Sequence, residues 1–481
     1  MSPCLSLRRI ARLTGAAFCA LLAAASWRPI PAQQQQPQQK PMSSLTRGRV
    51  ESMLAEMHNE LKKNYYDPAY HGLDLDARYK EYEERLKHVP TMGESFRLIA
   101  AYVAGLNDSH TFFEPPRRSY RFDYGYQMEI VGDQCFITDV RPGSDAEKKI
   151  HPGDQVLMLG RYSLNRKDLW QLEYYLNQLA PTPATDFTLR DPAGNTRKEQ
   201  VLTKYVVKNR LKDATVQSGY SAIWDLVLEE EQERHLLRHR YIKSGDVLIW
   251  KMPMFIDDEA ALAAMVDLAR KHKALILDLR GNPGGHEAAL RFVVGSVFDH
   301  DVKIATRMMR KDRKELVAKS RGHDAFTGQL FVLVDSRSAS ASELFARIVQ
   351  LEHRGTVVGD LTSGSVMEAI YRPLQIGMQE LGGLDWDAAN RTGGINSPDR
   401  VFSNSDIVLF YGASITEADL VMTDGKSLEK VGVTPDVVVL PTAEDLAAGR
   451  DPVLAKAAEL AGIKLAPAAA GKMFPFEWTP F

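Results

Sequence analysis

"QLFVLVDSRSASASELFARIVQ" (residues 329–350) reads as a strand, a turn and a helix in direct succession. QLFVLVD is almost wholly apolar, as a strand covered on both faces of a sheet is. SELFARIVQLEH, which overlaps its end, carries apolar residues at helical spacing. Between them Ser336, Ser338, Ser340 and Ser342 crowd the start of the helix. Serine is a favoured helix N-cap, and Glu343 three residues after Ser340 can close a capping box. The second reading is chemical: a nucleophile held where unpaired backbone N–H groups converge. These residues alone leave both readings open.

Working outward, ALILDLRG (274–281) and GTVVGD (355–360) repeat the apolar-strand texture, and DEAALAAMVDLARKH (258–272) is helical. Strands alternating with helices point to an α/β sheet covered by helices. Residues 118–205 differ. There YGYQMEIVGDQCFITDV, PGSDAEKKIHPGDQVLMLG and DFTLRDPAGNTRKEQVL are short strands broken by Gly/Pro turns, with one helix, KDLWQLEYYLNQL, between them. Residues 43–117 are helical, with Val50, Met53, Leu54, Met57 and Leu61 on one face, and close in the polar loop NDSHTFFEPP. TAEDLAAGRDPVLAKAAELAG near the end reads as a pair of helices. The expected organisation is a leader at 1–32, a Gln/Pro-rich linker at 33–42, a helical region at 43–117, a β-rich module at 118–205, a core at 206–440 and a helical tail at 441–481.

Composition narrows the function classes. A net charge of −2 gives no basic excess to neutralise phosphates, so nucleic acid is not an expected partner. Arg8, Arg9 and Arg12 precede the apolar run LTGAAFCALLAAAS, the pattern of a secretory leader. Periplasmic or secreted localisation is therefore expected, with no stable membrane span in the mature chain. Cys4 and Cys19 would leave with the leader, so Cys135 would be the only cysteine and no disulfide would form. No Cys/His cluster has zinc-site spacing and no glycine loop has phosphate-binding spacing, so neither metal nor cofactor is expected.

ALILDLRGNPGG, FVLVDSRSASASE, GTVVGDLTSG, ADLVMTDGKSLEKVGVTPDVVV and LNDSHTFF together resemble the C-terminal processing, or tail-specific, serine proteases and the related tricorn core protease. The resemblance covers about residues 45–440. It implies an α+β multidomain fold: an N-terminal helical region, a PDZ-like β-rich domain and a crotonase-like α/β protease core. It also implies a serine endopeptidase acting on protein or peptide substrates with free C-termini.

By the same resemblance Ser340 matches the nucleophile, with the N–H groups of Gly285 and Ala341 as the oxyanion site. A helix start suits the second of these, because its donors are unsatisfied and its dipole favours negative charge. The best-known branch of the family takes its base from a lysine, where this chain has Ser365 in GDLTSGSVMEA. Lys426 in TDGKS lies in a turn with no matching role. The tricorn-like branch instead pairs a Ser-His dipeptide with a late glutamate, here Ser109, His110 and Glu429. Histidine titrates near neutrality and suits a base that later acts as an acid. Glu429 would orient the imidazole, and Ser109 would support the carboxylate. Tyr124, Gly125, Tyr126 and Gln127 fall at the carboxylate-binding loop of a PDZ domain, with Ile137 expected near its pocket.

Other residues read as structural. His286 and Glu287 fit a first helical turn, His353 a helix end, and LEEEQERHLLRHR a solvated charged face. The Gly/Asn-rich segment 375–406 is long enough to suggest a lid carrying Trp386 over the cleft. Two competing functions follow from the missing lysine and from the fold: a catalytically inactive PDZ-type peptide-binding scaffold, and a carrier of hydrophobic ligands.

Overall fold

The computed structural model describes residues 42–116, 120–167, 169–207, 235–376 and 409–479. The leader, nearly all of the Gln/Pro-rich linker, most of the charged connector and most of the 375–406 segment with Trp386 lie outside the described residues.

Helices α1 (Ser44–Asn64), α2 (Leu75–Lys87) and α3 (Met92–Ala104) come first. Ser43, Asp74 and Thr91 cap them, each side chain accepting an N–H from the first turn. The periodic face of α1 is buried as its spacing requires: Val50, Met53, Leu54, Met57 and Leu61. The loop after α3 leads into β1 (Phe112–Glu114).

A β-rich module follows. Strand β2 (Tyr120–Asp123) leads into β3 (Tyr126–Val131), β4 (Gln134–Val140) and β5 (Gln155–Leu159). Helix α4 (Leu169–Tyr174) continues as a wider turn to Leu179. Strands β6 (Ala184–Arg190), β7 (Thr196–Leu202) and β8 (Lys204–Val207) complete the module. Its sheet runs β3-β4-β5-β6-β7, all antiparallel, and β2 pairs with β8 where the chain enters and leaves. Strand β3 is thus an edge strand. Its own small core holds Met128, Ile130, Ile137, Phe187 and Leu189.

The rest builds two sheets. Strands β9 (Arg240–Ser244) and β10 (Val247–Lys251) precede α5 (Glu259–Ala269), β11 (Ala274–Asp278) and α6 (Glu287–Gly295). Then come β12 (Val302–Met309), β13 (Arg313–Ala318), β14 (Gln329–Val334), α7 (Ala341–Leu351) and β15 (Thr356–Gly359). The long strands β16 (Met367–Ile376) and β17 (Leu409–Val421), the short β18 (Val437–Val438), and helices α8 (Ala443–Ala447), α9 (Pro452–Leu460) and α10 (Pro467–Ala470) finish the chain.

The first sheet runs β18-β15-β14-β11-β10-β9, parallel except for its β9 edge. Helices α5, α6 and α7 cover one face of it and α9 the other, which is why its strands are apolar throughout. The second sheet is antiparallel, β1-β17-β12-β13, with β16 also on β17. Phe113 of β1 sits opposite Ala413 of β17, so residues 43–117 share a sheet with the core as well as a hydrophobic cluster. The expected boundary at residue 117 is therefore a division in sequence but not in packing. Among the described residues, no helix is long and apolar enough to cross a membrane.

Phe113 is fully buried, its ring 6.0 Å from Phe96 on α3 and 6.1 Å from Tyr411 on β17. Phe113→Ala is expected to lower the unfolding free energy by about 3–5 kcal/mol, the usual result of leaving a phenylalanine-sized cavity. Helical and aromatic circular-dichroism signals followed through urea should shift together, because helices and sheet share that core.

Candidate active site

The parallel strands β11 and β14 deliver two turns to the same end of the sheet. Asn282, fully buried in the turn after β11, joins them. Its Oδ1 accepts the Gly284 N–H at 2.9 Å, and its backbone oxygen accepts the Ala339 N–H and the Ser342 hydroxyl, both at 3.0 Å. Gly284, at φ +98°, lies so close that a Cβ there would come within 2.7 Å of the Ser340 Cβ. Gly285, at φ +138°, runs beside Phe255, and a Cβ would overlap the Phe255 carbonyl. Glycine is required at both for sign of φ and for space. The Gly285 and Ala341 N–H groups are both left without a protein acceptor among the described residues.

Ser340 itself has φ +54° and ψ −116° at the N-cap of α7. A non-glycine residue in that region carries roughly 1–3 kcal/mol of strain, which its surroundings must hold in place. Glu343 does so. Its carboxylate lies wholly inside the protein and accepts four donors. Oε2 takes the Ser340 N–H at 3.1 Å and the Ser365 N–H at 2.9 Å. Oε1 takes the Thr362 hydroxyl at 2.5 Å and the Gly364 N–H at 2.8 Å. The capping box expected from the sequence is present, and the same carboxylate also fastens the 362–365 loop beside Ser340. Burial pushes its pKa up to about 7 against those four donors.

That loop leads to the other half of the site. The Ser340 N–H also donates to the Ser365 carbonyl at 2.8 Å, and the next residue, Val366, donates its N–H to Glu429 Oε2 at 2.9 Å. Glu429 further accepts the Ser109 N–H at 3.1 Å and the Ser109 hydroxyl at 2.7 Å. Ser109 Oγ in turn lies 2.8 Å from His110 Nδ1. Glu429 thus meets the imidazole through Ser109. Asp108 holds the backbone below, its Oδ1 accepting the N–H groups of His110 and Thr111 at 2.8 and 3.0 Å and the Thr416 hydroxyl at 2.8 Å. Burial lowers the His110 pKa below the ordinary histidine value, with the nearby Asp108 charge working against it. Burial also raises that of Glu429, partly offset by its Ser109 bonds.

The structure thus gathers Gly285, Ser340 and Ala341 on one side and Ser109, His110 and Glu429 on the other, joined by residues 362–366. Lys426 is exposed in its turn. Glu287 opens α6 and pairs with Arg291 and Arg307, and His286 is the residue before it. Glu343 as a loop anchor, Asn282 and Asp108 went unforeseen. For Asp108 the sequence signal was its short spacing to His110, typical of a side chain that bonds its own following backbone, and for Glu343 it was the capping box alone.

In the β-rich module, Tyr124, Tyr126 and Gln127 line a cavity of about 200 Å³ with Arg141, Glu173, Leu176, Trp478 and Thr479. Gly125 turns the chain there at φ +74°, its N–H taken by Asp123 at 2.9 Å. Ile137 is not part of this cavity. It points into the module core and is fully buried, because β4 is an inner strand. The outer edge of β3 faces the segment preceding Ser340: Ser336 Oγ donates to the Ile130 carbonyl at 2.6 Å and Arg337 to that of Met128. Arg337 also pairs with Glu173 at 2.7 Å. Among the described residues, no group of three or more His, Cys, Asp or Glu side chains is placed to hold a metal ion.

Residues 246–439 match peptidase family S41, and residues 49–104 match the tricorn protease C1 domain. The tail-specific protease of Haemophilus influenzae is 25% identical over 277 residues, 53% of this chain and 36% of that protein. Carboxyl-terminal-processing peptidase 3, chloroplastic, of Arabidopsis thaliana is 22% identical over 327 residues, 66% of this chain and 61% of its own. The chain therefore spans about a third and three fifths of these relatives' lengths. Among solved structures, mature CPAF superposes with a TM-score of 0.58 at 15% identity, covering 84% of this chain and 95% of that one. That likeness is one of fold. The family resemblance drawn from the five sequence motifs is borne out by these matches.

Replacing Glu343 with Gln turns an NH2 group toward N–H donors. Glu343→Gln should lower the unfolding free energy by roughly 2–5 kcal/mol in urea. The pH dependence should change as well. Because folding raises this pKa, its contribution is present in acid and is lost as pH climbs from the ordinary carboxyl range through about 7. That part of the slope should be missing in the variant.

Proposed function

We propose that this chain, with its peptidase family S41 domain across residues 246–439, is a serine peptidase in which Ser340 attacks the peptide carbonyl and His110 is its base. The observation that carries this reading is the hydrogen-bonded series Glu429–Ser109–His110, tied through Val366 and Ser365 to the Ser340 amide. Its proton inventory is fixed by valence. The Ser109 hydroxyl has one proton and gives it to the Glu429 carboxylate. Its oxygen must then accept from His110 Nδ1–H, which leaves the Nε2 lone pair free to take a proton. A histidine kept neutral by burial is in the form a base needs.

In the first step the Ser340 Oγ–carbon bond forms while the hydroxyl proton passes to His110 Nε2. The Gly285 and Ala341 N–H groups receive the oxyanion, each such donor contributing about 3–4 kcal/mol to the transition state. Collapse breaks the C–N bond as His110 protonates the amine, and water repeats the sequence on the acyl-enzyme. Glu429 and Ser109 are positioning residues that stabilise the imidazolium. The Ser/Lys arrangement has no part, since Ser365 stands where that lysine would be and its N–H serves Glu343. The non-catalytic scaffold drew its support from the missing lysine, and the Ser109–His110 pair supplies that lack.

The rest of the reading is architectural. Residues 43–117 form an N-terminal helical region, 118–205 a PDZ-like domain, and 206–440 a crotonase-like core with the tail at 441–481. The cavity beside Tyr124, Tyr126 and Gln127, at the start of edge strand β3, suits an extended peptide with a free C-terminus. Substrates are accordingly protein or peptide C-termini, met in a periplasmic or secreted setting after loss of the 1–32 leader. The role of segment 375–406 as a lid rests on its length and composition alone.

Fluorophosphonate labelling with mass-spectrometric mapping tests the nucleophile. Labelling is expected at Ser340, with the rate falling at least about 10³-fold in His110→Ala. Modification at another residue, or an unchanged rate in that variant, would overturn the assignment. The acid limb of kcat/KM that belongs to His110 should lie below pH 6.5, because a base must be unprotonated and burial lowers its pKa. A limb above that value would contradict the environment described.

A further inference from the structure

Residues 475–479 lie along the β-rich module in irregular conformation. Glu477 fixes this segment by a two-pronged pair with Arg238 at 2.7 and 2.9 Å, with Arg240 at 3.4 Å. Arg240 also donates to the Pro475 carbonyl at 2.9 Å. Beyond Glu477, the Trp478 ring lies against the Arg141 guanidinium at 4.8 Å, and Phe476 meets that ring edge-on at 4.8 Å. Arg141 donates to the Thr479 carbonyl at 2.9 Å. Asp123 holds Arg141 in place with an ion pair of 2.8 Å, and the Arg141 N–H bonds the Gly125 carbonyl at 2.9 Å. Trp478 and Thr479 thereby form one wall of the cavity that Tyr124, Tyr126 and Gln127 line.

This is the contact set a bound peptide would make: an aromatic ring on a fixed cation and a backbone carbonyl on a fixed donor. We infer that residues 475–479 are an intramolecular ligand of the module, occupying a subsite that reads an aromatic residue followed by a backbone carbonyl at Arg141. The inference rests on reading the module as a peptide binder, and it names the class of peptide that binder selects. A peptide substrate of this class must displace the segment before it can bind. Displacement is feasible because the anchors are partly solvent-facing ion pairs, which hold weakly. The tether keeps the segment at an effective concentration on the order of millimolar, so only a better-fitting peptide succeeds.

The test uses the full chain, the variant Glu477→Ala/Trp478→Ala, and a synthetic peptide of residues 472–479, KMFPFEWT, followed by calorimetry. The variant should bind the peptide at least 10-fold more tightly than the unaltered chain, whose own segment competes. Arg141→Ala on the variant background, or Trp→Ala in the peptide, should remove that binding. Equal affinity for both proteins, or no binding to a variant whose circular dichroism is unchanged, would overturn the inference. Glu477→Ala alone, at a partly exposed position, should give an intermediate affinity and covers the case of a misfolded double variant. A panel of unrelated peptides with free C-termini separates the two layers. If those bind the variant while KMFPFEWT does not, the self-ligand falls and the peptide-binding module stands. If nothing binds, both fall.

Discussion

The Glu343 carboxylate, buried at the first turn of α7, is the constraint on which the site depends. Its two oxygens accept donors from Ser340, Thr362, Gly364 and Ser365. A carboxylate inside a protein is costly unless its acceptor capacity is filled. Here it is filled by three backbone N–H groups and the Thr362 hydroxyl from two separate segments, so Ser340 and the loop after β15 cannot move independently. That loop carries Val366, whose N–H steadies Glu429, and Glu429 steadies Ser109. One buried charge thus fixes the strained Ser340 backbone and the carboxylate behind the histidine.

Inserting Ser109 between Glu429 and His110 has a chemical consequence. A hydroxyl relays orientation as a direct carboxylate contact would, because its single proton is committed to the glutamate and its lone pair to Nδ1–H. It also spreads the negative charge away from the imidazole. Burial lowers the His110 pKa, and in the proposed mechanism the full effect of Glu429 is reserved for the moment when His110 becomes charged. Preorganisation of this kind stabilises the transition state more than the ground state.

The elements legible in the sequence are those whose information is local. The apolar strands at 274–278 and 329–334, the Gly-rich turn, the serine segment and α7 each announce themselves within a dozen residues, as does the 3.6-residue pattern of α1. The second sheet was not legible. Its β1–β17 pairing joins Phe113 to Ala413 across some 300 residues, and three-residue β1 has no periodicity to read. The proposed site residues Ser109, His110, Gly285, Ser340, Ala341 and Glu429 came from the family resemblance, which matches positions without showing how they touch. The functions of Glu343 and Asn282 arise only when distant backbone arrives, so the sequence offered a capping box and a turn. Ile137, expected near the pocket by resemblance, lies instead in the module core, because a matched position does not tell which face of an inner strand a side chain takes. The contact of Trp478 with Arg141, 337 positions away, carries no local mark at all.

The most direct test of the account is a crystal structure of the chain treated with a peptidyl boronic acid. The account requires a tetrahedral adduct on Ser340 Oγ, with one boronate oxygen accepting from the Gly285 and Ala341 N–H groups and another facing His110 Nε2. Glu429, Ser109 and His110 Nδ1 should keep their hydrogen-bonded order. An adduct on another side chain, or one on Ser340 whose oxygens turn away from both N–H groups and from His110, would contradict it.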